Sequence, residues 1–194
     1  GLGLALLALR VGTFESTMFN KVKDSTVKRG DFFSLFRSGQ AAVKYVACIL
    51  VGLPVWFVIG ILIKFSDAFG VATGVDGKVS PGDAIMYAYL GLSVGDLISG
   101  ALSQWLRSRR KVVFLYLVTT VLLTLAYVFI PGLSLTAFGF LCFLLGAATG
   151  YWALFVTVAA ESFGTNLRAT AATTAPNLVR GSAVLITMAW ETLQ

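Results

Sequence analysis

The chain has 194 residues, of which 57% are hydrophobic and 12% are charged, and a charged share about half that of an ordinary soluble domain argues against a water-soluble fold. It contains no histidine, which excludes a histidine general base, a Ser-His-Asp triad and the usual imidazole zinc sites within the chain. The net charge of +6 lies in short basic clusters between long apolar runs, which indicates membrane topology rather than binding of nucleic acid. The sequence therefore predicts a membrane protein, and we expect no cofactor or metal.

In chain order, the first residues are apolar, and we interpret residues 1–10 as the end of a transmembrane helix. A polar stretch follows, and residues 11–43 are expected to form a cytoplasmic central linker. An apolar patch at residues 32–36 suits this linker to contact with the membrane surface. Residues 44–194 are predicted to form a bundle of transmembrane helices.

Five segments of the bundle are long and apolar enough to cross a bilayer core about 30 Å thick, which needs roughly 20 residues of helix. Three of them are uncharged, whereas the second contains Asp96 and the fifth contains Arg180. The predicted spans are residues 45–63, 84–106, 112–130, 133–160 and 169–190. We expect residues 66–83 to form a glycine-rich loop, and a tight Pro131-Gly132 turn to make the helices on either side antiparallel neighbours.

The basic residues are distributed unevenly about these spans. Of the fifteen Lys and Arg residues, twelve fall on one side of the predicted spans, Lys64 and Lys78 fall on the other, and Arg180 lies within the last span. Cytoplasmic loops of membrane proteins carry the excess of Lys and Arg. The sequence therefore predicts a multi-pass protein of the cytoplasmic (inner) membrane, with the twelve-charge side in the cytoplasm.

Asp96 is the first candidate functional residue, because an ionisable carboxylate at this depth is costly unless it is paired, protonated or hydrated. Helical spacing places it on a polar stripe, formed by Tyr89, Ser93, Asp96, Gly100 and Ser103. A row of small residues, Gly91, Gly95 and Ser99, lies beside the stripe and is typical of a close helix–helix contact.

The last predicted span also has one polar face, which should line an aqueous cavity or a buried polar seam. Its members are Thr173, Asn177, Arg180, Thr187 and Glu191. Arg180 could bind an anionic or polar group of a solute, or it could pair with a buried carboxylate such as Asp96; the two roles can coexist. Tyr151 and Trp152 could stack on a sugar ring or could equally be interior packing.

Two loop motifs resemble those of the major facilitator superfamily. Residues 100–111 read GALSQWLRSRRK and resemble the family's loop of a glycine, an acidic residue and a basic cluster, although Gln104 stands where an aspartate is usual. Residues 161–168 read ESFGTNLR and resemble the Glu to Arg motif that sugar-porter-like members carry after their tenth helix. The resemblance implies that Glu161 pairs with Arg109 or Arg110 and with Arg168, and so latches the cytoplasmic helix ends.

The family has twelve helices in two halves, each built of inverted three-helix repeats around a central substrate site. The resemblance implies an all-α membrane protein in which this chain supplies the C-terminal half, from the end of helix six to helix eleven, without the last helix. The N-terminal half of the same protein would then be its partner. Substrate-site candidates by this analogy are Asp96, Asn177, Arg180, Tyr151 and Trp152.

The function expected from these features is secondary active transport of a small polar solute, such as a sugar, an organic acid or a related metabolite, by alternating access. Proton coupling through Asp96 is a further hypothesis. A non-transporting scaffold or receptor is the alternative if Asp96 and Arg180 only satisfy each other in a dry bundle. A membrane-embedded enzyme is disfavoured, because the nine carboxylates lie mostly in predicted loops, and we predict no enzymatic activity.

Overall fold

The structure is a computed structural model that describes residues 31–193. The predicted helix end at residues 1–10 and the predicted linker up to residue 30 lie outside the described residues. Within residues 31–193 the fold is helical, and strand-like pairing there is limited to one bridge between Asp76 and Ser134.

The helices follow one another along the chain with short connections. They are a 3-10 helix (Phe32–Phe36), α1 (Gly39–Phe57) with a π-helical continuation (Val58–Ile63), α2 (Ser66–Ala72), α3 (Pro81–Trp105), α4 (Arg109–Phe129), α5 (Leu135–Ala148), α6 (Trp152–Glu161) and α7 (Arg168–Leu193).

Four helical segments are long and apolar enough to cross a membrane, so four of the predicted spans are helical and have the length and composition expected of them. They are Gly39–Ile63, Pro81–Trp105, Arg109–Phe129 and Leu135–Glu161. The fifth predicted span is also helical and forms α7. It is not one of these four segments, because its polar face lowers its mean hydropathy. Its membrane crossing stays a prediction.

Three features of the helices differ from those expected. Helix α1 begins at Gly39 rather than at residue 45, because the Ser38 hydroxyl accepts a hydrogen bond from the Ala41 N–H at 3.2 Å and caps the helix there. The glycine-rich loop at residues 66–83 contains α2. The uncharged run at residues 133–160 is interrupted between α5 and α6, so it forms two helices rather than one.

The closest helix contact joins α3 to α5 through glycines on both sides. A Cβ atom added at Gly95 would lie 2.1 Å from the Ala147 carbonyl oxygen, and one added at Gly146 would lie 1.9 Å from that of Ala88. The two backbones therefore touch without side chains between them, as the small-residue row in α3 predicts.

Contacts at the two ends of the bundle show that α1, α4 and α7 run in the same direction. At one end, the Tyr45 hydroxyl donates to Thr174 Oγ1 at 2.7 Å, which brings together the starts of α1 and α7. At the other end, the Tyr127 hydroxyl donates to the Leu62 carbonyl at 2.8 Å, and Phe69 stacks on Trp190 at 5.3 Å. We call the first the basic end, because Lys44, residues 107–111 and Arg168 lie there.

A single methyl group should reveal the α3–α5 contact. We expect Gly95→Ala to lower stability by about 1–3 kcal/mol, because the added Cβ has no room against the Ala147 backbone. Gly100→Ala is the matched control, since a Cβ at that position in the same helix meets nothing within 4 Å. Thermal unfolding of both variants in detergent measures the difference, and equal melting temperatures would contradict the packing.

Candidate functional site

The interruption between α5 and α6 is the feature around which the candidate site is built. Helix α5 ends at Ala148, whose carbonyl accepts a hydrogen bond from the Thr120 hydroxyl of α4 at 3.0 Å. At Gly150 a Cβ atom would lie 2.5 Å from the Asp96 nitrogen, so the turn is pressed against the backbone of α3. Side chains thus satisfy main-chain groups that a continuous helix would satisfy itself.

Asp96 belongs to α3, and its carboxylate lies at the start of α6. Its Oδ1 atom accepts a hydrogen bond from the Ala153 N–H at 3.3 Å. The first N–H groups of a helix lack partners within the helix, and its N-terminus favours negative charge. Asp96 is half-buried and lies nine residues before the end of α3, or about 14 Å from the basic end. The carboxylate is therefore held at mid-depth by a half-helix.

Arg180 approaches the same point from α7. Its guanidinium carbon lies 5.5 Å from the centroid of the Trp152 ring, and Trp152 in turn meets Trp56 of α1 edge to face at 6.3 Å. In the described part of the chain no ion pair joins Arg180 to Asp96. Each contacts a neighbouring residue of α6 instead, Trp152 for the arginine and Ala153 for the aspartate.

Asn177 lies one turn before Arg180 on the exposed side of α7. We call Asp96, Trp152 and Arg180, together with Asn177, the mid-depth face, to which α3, α6 and α7 contribute. Trp56 borders this face and was not anticipated as a site residue. Its indole nitrogen is buried and has no hydrogen-bond partner among the described residues.

Tyr151 lies apart from the mid-depth face, although it precedes Trp152 in sequence. It is fully buried, and its hydroxyl donates to the Val51 carbonyl of α1 at 2.7 Å. Its ring meets Tyr116 edge to face at 6.1 Å. Of the two interpretations left open by the sequence, this position fits interior packing. The Tyr151 hydroxyl connects the break to α1 at Val51, three residues before Pro54.

At the basic end, Glu161 at the end of α6 forms an ion pair with Arg109 at the start of α4. The side chains are 50% and 42% exposed, so the pair is accessible to water. Arg110 lines the same hollow as Glu161. Within residues 31–193 neither Arg110 nor Arg168 pairs with Glu161, so the second ion pair implied by the resemblance is not formed.

Comparison of the chain with protein-family models, with curated proteins and with solved structures found no match. The functional interpretation therefore depends on the mid-depth face and on the ion pair at the basic end.

The contact between Asp96 and α6 should contribute to the free energy of unfolding. We expect Asp96→Ala to lower stability by about 0.5–2 kcal/mol, the range for loss of a helix cap, and Asp96→Asn to lose less because the amide oxygen still accepts a hydrogen bond. Ser93→Ala serves as the control on the same stripe, since the Ser93 hydroxyl bonds to its own helix at the Tyr89 carbonyl. Thermal unfolding that ranks Asp96→Ala with Ser93→Ala would contradict the capping role.

Proposed function

We propose that the chain belongs to a secondary active transporter that moves a small polar solute across the cytoplasmic membrane by alternating access. The observation that carries the proposal is the convergence of Asp96, Trp152 and Arg180 at mid-depth, beside a helix interrupted at that level. Ionisable residues at this depth commonly mark substrate or ion pathways, and half-helices commonly border substrate sites of transporters.

We further propose that the chain is the C-terminal half of a major facilitator fold, and the packing supports this. Its two inverted repeats would be α1, α3 and α4, then α5–α6, α7 and a third helix. The second helix of each repeat packs on the first helix of the other, since α3 contacts α5 and α7 contacts α1 more extensively than other pairs do. A two-fold relation between the repeats requires this reciprocity.

In this proposal the N-terminal half of the same protein faces the mid-depth face and closes a cavity over it. The Arg180 guanidinium and the Trp152 ring would receive the polar and flat parts of the solute, with Asn177 as a further hydrogen-bonding group. Asp96 would exchange a proton with the cavity. The Arg109–Glu161 pair would hold α4 and α6 together at the cytoplasmic side in one of the two access states. No bond of the solute is made or broken.

One observation favours a second candidate, a non-transporting membrane scaffold. The Asp96 carboxylate already has a structural partner in the Ala153 N–H, so a capping role alone could account for its position. The scaffold and the transporter differ in whether the mid-depth face binds a solute.

Reconstituted uptake distinguishes the two. We expect liposomes containing the full-length protein to accumulate at least one labelled sugar or organic acid, and Arg180→Gln to reduce this uptake at least about tenfold, the loss expected for a hydrogen bond to a charged group. Lys111→Gln, an exposed cation of the basic end, should transport normally. If no solute in the panel is taken up in an Arg180-dependent manner, the transporter proposal fails.

Asp96→Asn tests the coupling separately. We expect this variant to lose accumulation driven by a proton gradient but to keep solute exchange without a gradient, because the amide cannot carry a proton. Undiminished proton-driven uptake by Asp96→Asn would remove proton coupling and leave Asp96 as a cap.

Charge exchange tests the latch. Because the Arg109–Glu161 pair is exposed to water, it should contribute little, so Glu161→Gln should change the transport rate by no more than about fivefold. The double variant Arg109→Glu with Glu161→Arg should return toward the original rate. A double variant that transports no better than the two single variants would show that the pair does not act as a latch.

A further inference from the structure

Outside the mid-depth face, a groove runs between α1 and α4 on the outer side of the bundle. The two helices scarcely touch each other, and α6 forms the floor of the gap. The groove has a volume of about 350 Å³ and an apolar lining. Lining residues from the three helices include Ala47, Val51, Val113, Leu117, Phe155 and Val158.

The lining of the groove changes from basic to apolar along its length. Lys44 and Arg110 line it at the basic end, and Val51 and Leu117 lie seven residues further along α1 and α4. Seven residues of helix correspond to about 10 Å. The groove therefore leads from a pair of cations at the cytoplasmic side into the apolar depth of the bundle. Neither cation forms an ion pair within the described residues.

A second hollow adjoins the groove and has the opposite character. It has a volume of about 520 Å³ and shares Arg110, Val158 and Ser162 with the groove. Arg107 and Arg109 also line it, together with the carboxylate of Glu161, which is occupied by Arg109. A basic hollow is thus continuous with an apolar groove, and Arg110 stands at the junction.

We infer that the groove and the adjoining hollow bind an anionic phospholipid from the cytoplasmic leaflet. One acyl chain occupies the α1–α4 groove, and the phosphate group lies between Lys44 and Arg110 with its headgroup in the basic hollow. Basic pockets between transmembrane helices on the cytoplasmic side are suited to anionic headgroups. The zwitterionic lipids of the same leaflet lack the net charge that these cations complement. The inference does not depend on transport.

The chain contains its own reporter for this site. Cys48 lines the groove and is half-buried, whereas Cys142, the other cysteine of the chain, is fully buried in the opposite half of the bundle. In detergent, a maleimide should therefore react with Cys48 and spare Cys142. Titration with phosphatidylglycerol should slow the reaction of Cys48, and the concentration dependence measures binding.

We expect phosphatidylglycerol to bind more tightly than phosphatidylcholine, and Lys44→Gln and Arg110→Gln each to weaken its binding about fivefold, as one interfacial charge requires. Lys111→Gln is the matched control, because Lys111 follows Arg110 in the same cluster but lines neither hollow. All three residues are exposed, so these substitutions should leave folding intact.

Four results would overturn the inference. Equal protection by phosphatidylcholine would indicate a non-selective apolar surface, and equal protection by soluble glycerol phosphate would indicate a site for free anions. Weakening by Lys111→Gln as large as that by Arg110→Gln would indicate a diffuse basic surface. A Cys48 that stays unreactive in lipid-free detergent, with no lipid retained by native mass spectrometry, would indicate that protein fills the groove in the full-length molecule.

Discussion

The structure depends on how the chain satisfies the backbone N–H and C=O groups that an interrupted helix leaves without partners halfway along an apolar bundle. The break between α5 and α6 exposes helix ends at that level. The Thr120 hydroxyl covers the carbonyl end at Ala148, and the Asp96 carboxylate covers the N–H end at Ala153. Because α3 supplies Asp96 and also touches α5 through its glycines, the contact between these helices aligns the cap with the break.

This arrangement explains why polar groups gather at one depth. A half-helix starting at mid-depth brings Trp152 to the surface of the bundle, next to the guanidinium of Arg180 on α7. The same turn directs Tyr151 inward, where its hydroxyl meets the carbonyl of Val51 near the proline of α1. Two consecutive residues at the break therefore have different roles. Tyr151 holds the break against α1, and Trp152 forms part of the mid-depth face.

Hydropathy alone was sufficient to predict the four long apolar helical segments, because length and apolarity are summed over many residues. The break at residues 149–151 was not predicted, since it contains no proline and depends on the close approach of Gly150 to the α3 backbone, a tertiary contact. Helix α2 was missed because glycines dominate its surroundings in the sequence. The start of α1 was expected too late because the capping of Ala41 by Ser38 outweighs the polar composition of that stretch.

The candidate site was predictable where charge contrasts with an apolar background, as it does at Asp96 and Arg180. Trp56 gave no such contrast, because an aromatic residue in an apolar helix resembles its neighbours. Tyr151 and Trp152 could not be told apart by sequence, since consecutive helical residues point in different directions and only packing decides which one faces the core. Of the two arginines of α4 that the resemblance offered as partners of Glu161, Arg109 forms the ion pair in the described part of the chain.

The central claim is that the mid-depth face meets water and solute while the outer helices meet lipid. It is tested most directly by single cysteines at matched depth, in a chain whose native cysteines are replaced by alanine. Asn177 lies nine residues into α7, and Val118 lies nine residues into α4 on an exposed apolar surface. In liposomes, a membrane-impermeant thiol reagent should label Asn177→Cys, transported solute should protect it, and Val118→Cys should stay unlabelled. An unreactive Asn177→Cys, or equal labelling of both positions, would contradict the account.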